Sequence, residues 1–127
     1  MKVILVIEDN SDILENISEM LELKGYHVIP AINGKSGIGL ARQFKPDLIL
    51  CDIMMPEANG YDVFNALKRD PETTHIPLIF ISASVENKEI EVCLNMGARG
   101  FIRKPFNANE LFGAIEEVLG KQEGAQW

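Results

Sequence analysis

Leu48-Ile49-Leu50-Cys51-Asp52-Ile53-Met54-Met55-Pro56 decides the fold. Residues 48–51 are apolar without polar alternation, which is how a strand covered on both faces reads. The run ends on an acid, Asp52. Working outward, the same kind of short run recurs at Val3–Ile7, at His27–Ala31 and at residues 78–81. A weaker run at residues 100–102 is called a strand mainly from its context. Between the runs, apolar residues return at helical spacing. Residues 12–24 carry Ile13, Ile17, Met20 and Leu21 on one face; Asn10 or Ser11 can cap their start and Gly25 suits their end. A second helix spans residues 35–44, opened by Asn33-Gly34 and closed before Pro46. A third, residues 61–69, ends at Asp70-Pro71. A fourth, residues 87–96, stops at Gly97. In the last, residues 107–119, Asn107 and Glu110 have capping-box spacing, and Leu111, Ala114, Ile115 and Val118 form the buried stripe.

Strand and helix alternate five times. Right-handed crossovers then predict an α/β fold: a single flavodoxin-like (βα)5 domain with helices on both faces of a parallel sheet. For five strands the favoured order is 2-1-3-4-5. The domain is expected over residues 1–120, followed by a short polar tail, residues 121–127, ending in Trp127, with no output domain in this chain. The 127 residues carry a net charge of -7. That argues against nucleic acid or an anionic membrane as a partner, since both are polyanions. Cys51 and Cys93 lack metal-ligand spacing and read as buried thiols in a reducing, cytoplasmic compartment.

Ligands of such sheets bind beyond the carboxyl ends of the strands, where the strand order reverses. The first strand ends in Glu8-Asp9, the third in Asp52 and the fourth in Ser82, and the fifth is followed by Lys104. Neighbouring strands lie about 4.8 Å apart, so three carboxylates converge. They repel unless a cation sits among them, and hard oxygen ligands select Mg²⁺ or a similar ion, with Mn²⁺ an acceptable substitute. Ser82 and Lys104 can then contact phosphoryl oxygens, and a carboxylate is a recognised phosphoryl acceptor. Taken singly, each residue is ordinary: acids are frequent at strand ends, Asp52 alone reads as a turn residue, and Lys104 alone as a surface lysine. Their conjunction on one sheet edge carries the reading.

These residues resemble the receiver domain of two-component response regulators. The resemblance rests on Ile7-Glu8-Asp9-Asn10, on Leu50-Cys51-Asp52-Ile53-Met54-Met55-Pro56 with Gly60, on Ile81-Ser82-Ala83 and on Lys104-Pro105-Phe106. It covers residues 2–119 or so. It implies that Asp52 is the phosphoacceptor, in a Mg²⁺-dependent reaction. Glu8, Asp9, Asp52 and the Met54 backbone carbonyl would hold the metal, with Ser82 and Lys104 contacting the phosphoryl group. It further implies a cis Lys104-Pro105 bond and a switch made of Ser82 and Phe101. Met54 and Ser84, each two residues beyond a site residue, would tune water access. The donor would be a sensor histidine kinase or a histidine phosphotransfer protein, docking near residues 11–16. A downstream output domain or protein would read the face of the fourth helix, fifth strand and fifth helix, and the same face allows a homodimer. Lys88, Glu89, Glu91, Asn95 and Arg103 are expected on its exposed part.

The resemblance implies a signalling domain and no enzyme beyond its own phosphorylation and dephosphorylation. An aspartyl-phosphate hydrolase commonly needs a second acid two residues after the nucleophile, and Met54 stands there. A flavodoxin would need a phosphate-binding first loop, which Glu8-Asp9-Asn10 opposes. A degenerate receiver, acting as a phosphorylation-independent interaction module, is the alternative.

Overall fold

Five strands alternate with five helices in the computed structural model, which describes residues 1–83 and 86–120. The strands are β1 (Val3–Ile7), β2 (His27–Ala31), β3 (Leu48–Asp52), β4 (Leu78–Ser82) and β5 (Gly100–Arg103). The helices are α1 (Ser11–Leu23), α2 (Gly34–Phe44), α3 (Gly60–Arg69), α4 (Asn87–Met96) and α5 (Ala108–Leu119). All pairings are parallel, and the order is β2-β1-β3-β4-β5, as the sequence pattern predicts.

Successive side chains of a strand point to opposite faces, so each central strand feeds two cores. Leu5, Ile7, Ile49, Cys51, Leu78 and Phe80 pack with Ala41 of α2, Val63, Phe64 and Leu67 of α3, and Cys93 of α4. Ile4, Val6, Leu48, Leu50, Ile79 and Ile81 pack on the other face with Leu14, Ile17 and Leu21 of α1 and with Leu111 and Ile115 of α5. β3 and β4 are buried along their whole length, which is why they carry no polar alternation. Both cysteines are free and buried.

Differences from the sequence expectation are local. In α1 the buried residues are Leu14, Ile17 and Leu21, whereas Ile13 and Met20 are only partly buried. The helix is rolled so that Ile13 and Met20 fall on one flank of the apolar face and the core side is carried by Ile17, Leu21 and Leu14. β5 extends to Arg103 because Arg103 pairs with Ser82 on β4. Asn10 caps α1 and Asn107 closes a capping box with Glu110. Gly25 and Gly97 take positive φ (100° and 115°) at helix ends, where a side chain would be strained. Ser84 and the tail 121–127 lie outside the described residues. No described helix is long and apolar enough to cross a membrane.

Candidate functional site

The sheet register builds the site. Ile7 pairs with Cys51, so the next residues, Glu8 and Asp52, come side by side at the carboxyl edge of β1 and β3. Asp52 pairs in turn with Ile81, and Ser82 follows on β4. Ser82 pairs with Arg103, and the Lys104 N–H donates to the Ser82 carbonyl at 2.8 Å. Four strand ends thus deliver Glu8, Asp52, Ser82 and Lys104 to one edge. Glu8, Asp9 and Asp52 each present a carboxylate oxygen, and these oxygens lie within 4.8 Å of one another. Glu8, Asp52 and Ser82 are buried, while Asp9 is exposed at the rim. The Lys104–Pro105 bond is cis.

Lys104 is the cation of the group. Its Nζ stands 2.7 Å from Glu8 Oε1 and 3.4 Å from Asp52 Oδ2. Burial alone would lower the Lys104 pKa, but the hydrogen bond it donates to Glu8 and the charges of Asp52 and Glu8 raise it on balance. Asp52 is pushed up to about 7, first by burial and then by the Glu8 carboxylate, with Lys104 only partly offsetting both. One ammonium therefore does not neutralise the cluster. Buried carboxylates, hard oxygen donors and an unmet negative charge form a donor set that suits a small divalent cation.

The floor beneath Asp52 is tight. The loop leaving β3 folds back so that the Gly60 N–H donates to the Ile53 carbonyl at 2.9 Å. A Cβ on Gly60 would stand 2.7 Å from the Asp52 carbonyl oxygen and 2.8 Å from Ile53 Cα, so only glycine lets α3 start there. Met54 sits in that loop with its side chain 74% exposed. Asn59 and Asp62 close a capping box over the first turn of α3. That device has the same three-residue spacing as the one read at Asn107 and could have been read the same way.

Phe101 lies on β5, opposite Phe80 and partly buried against the α3–α4 core. Phe80 also meets the Tyr61 ring edge-on, with 5.6 Å between centroids. The expectation that Glu89 belongs to the exposed surface fails. Its carboxylate turns inward, and Ser82 Oγ donates to Glu89 Oε1 at 3.0 Å. Nothing in the sequence marks this contact, because it joins a strand end to the first turn of a helix across a loop. Lys88, Glu91, Asn95 and Arg103 are exposed as expected.

A family model described as the response regulator receiver domain matches residues 4–116. Protein PilH of Pseudomonas aeruginosa is 36% identical over 116 residues, which cover 91% of this chain and 96% of PilH. RpaA of Synechocystis, a DNA-binding transcriptional regulator, is 33% identical over 120 residues, and the chain spans about half of its length (50%). Among solved structures, the receiver domain of a Pseudomonas aeruginosa sensor histidine kinase superposes with a TM-score of 0.85 at 28% identity, covering 94% of this chain and 98% of that one. That structure has a magnesium ion coordinated in its active-site cleft.

Proposed function

The chain belongs to the response regulator receiver domain family, and on that premise we propose that Asp52 accepts a phosphoryl group from a phosphohistidine donor. The donor would be a sensor histidine kinase or a histidine phosphotransfer protein. The observation that carries this reading is the Lys104 ammonium set between Glu8 (2.7 Å) and Asp52 (3.4 Å) inside a cluster of three carboxylates. A buried acid with a fixed cation beside it, at the switch point of a parallel sheet, suits phosphoryl capture better than any structural purpose.

In the proposed reaction an Asp52 oxygen bonds to phosphorus as the phosphorus–nitrogen bond of the donor breaks. The electron pair leaves on the imidazole, which takes up a proton. Lys104 stays beside the acceptor and offsets charge on the phosphoryl oxygens. The Ser82 hydroxyl donates to one of those oxygens, and Phe101 moves toward the space vacated, reshaping the α4–β5–α5 face for a downstream partner. Glu8, Asp9, Asp52 and the Met54 carbonyl would hold Mg²⁺, which when bound supplies charge neutralisation between the acids and the transferred group.

Intact mass after incubation with Mg²⁺ and acetyl phosphate tests the reading. A gain of one phosphoryl group is expected in the parent, lost with Asp52→Asn and lost with a chelator. No gain with either acetyl phosphate or a phosphorylated histidine donor, in a folded parent, would instead favour the interaction module.

A further inference from the structure

The Ser82 hydroxyl carries a single proton. It is donated to Glu89 Oε1 at 3.0 Å, so a hydrogen bond from Ser82 to a phosphoryl oxygen on Asp52 has to displace it. A carboxylate is a strong acceptor for that proton. Glu89 stands in the first turn of α4, yet it is not fully exposed; burial first, and its charge as a lesser cause, raise the pKa of Tyr61 on α3 and of Cys93 on the inner side of α4. The nearby cation Arg103 is engaged elsewhere, donating from Nη2 to Asn87 Oδ1 at 2.8 Å.

We propose that Glu89 is a latch that holds the Ser82 hydroxyl in the unphosphorylated protein and opposes the phosphorylated arrangement until Asp52 is loaded. The inference rests on the phosphoacceptor reading above and deepens it, since it names what sets the threshold of the switch. Glu89 is a positioning residue, acting through Ser82. It also lines an open groove with Tyr61, Lys88, Val92 and Met96 between α3 and α4. Release of the latch therefore changes the charge offered on that side of α4 as well.

The test is the affinity of the full chain for beryllofluoride in saturating Mg²⁺, with beryllofluoride standing in for the phosphoryl group. Losing a hydrogen bond to a charged acceptor in the unloaded state is expected to tighten binding on the order of tenfold in Glu89→Ala. Glu89→Gln keeps a neutral acceptor and should fall between the parent and Glu89→Ala; it also carries the comparison if the alanine variant is poorly folded. The same substitutions made on a Ser82→Ala background should leave affinity unchanged. A Glu89 that merely stabilises the α4 N-terminus through its charge would act equally on both backgrounds. Equal affinity in the parent and both variants, or an equal effect with Ser82 absent, overturns the latch alone. A folded parent that binds Mg²⁺ but takes up no beryllofluoride overturns the phosphoacceptor reading, and the latch falls with it.

Discussion

Helices α3 and α4 pack on the same face of the sheet, each following a strand that carries a site residue, yet they are held very differently. α3 starts with a reciprocal Asn59–Asp62 capping box and buries Gly60, Val63, Phe64 and Leu67. Among the described residues α4 has no side-chain cap bond; it buries only Cys93 and leaves Val92 (44%) and Leu94 (48%) exposed. The firmly held helix lies beneath Asp52, where the proposed phosphoryl transfer would need a fixed acid. The lightly held one follows Ser82, where under the same proposal a state would be read out. Elements that move are drawn from the less stable part of a fold, and here burial and capping say which part that is.

The contrast can be broken most directly by core truncation. Phe64→Ala, which removes a ring 5.8 Å from that of Phe80, is expected to cost about 3–5 kcal/mol in urea denaturation. Val92→Ala on α4 should cost less than about 0.5 kcal/mol. Comparable losses would dissolve the distinction.

The next effect tests what the α3 floor supports. Asp52 in the metal-free fold has its pKa raised to about 7. The folded state then binds a proton that the unfolded chain has lost, so stability falls as pH rises from roughly 4 to 7. Asp52→Asn removes that loss. It should be more stable than the metal-free parent near pH 8, by on the order of 1–3 kcal/mol, with the advantage gone near pH 4. Thermal melts across that range, in chelator, would show it. Added Mg²⁺ should raise the melting temperature of the parent more than that of the variant.

Smaller still is the cap. Asn59→Ala should cost about 1 kcal/mol and raise hydrogen exchange in the first turn of α3. In the parent, α4 amides should already exchange faster than those of α3.

The smallest effect lies at the C-terminal end of α3. Asp70 has its pKa lowered by the Glu72 backbone N–H and by Arg42, whose Nε is 2.7 Å away. Its stabilisation is present above the ordinary carboxylate range and lost as pH falls through the lowered value. Denaturation curves of Asp70→Asn and the parent should differ slightly at neutral pH and converge in acid.

Much of this was legible in the linear pattern. Apolar runs such as residues 48–51 read as strands covered on both faces, and helical periodicity between them favoured a parallel sheet. With the strand order chosen, Glu8, Asp52, Ser82 and Lys104 necessarily shared an edge, since each stands at or just past a strand's carboxyl end. Less was visible where several side chains compete for one position. Leu14 displaced Ile13 from the α1 core because the exact roll of a helix depends on what it packs against. Gly60 was noticed as part of a pattern, but the backbone atoms that exclude its Cβ come from Asp52 and Ile53 only after the loop folds back.

By itself the sequence determined the order of elements, favoured the sheet topology and named the candidate residues that share one edge, because periodicity and strand-end position are properties of the chain. Tertiary structure alone decided the distances between charges, the unequal hold on α3 and α4, and the inward turn of Glu89 onto Ser82. Those depend on contacts between segments far apart or separated by irregular loops, where no local period constrains the side chain and only packing chooses its direction.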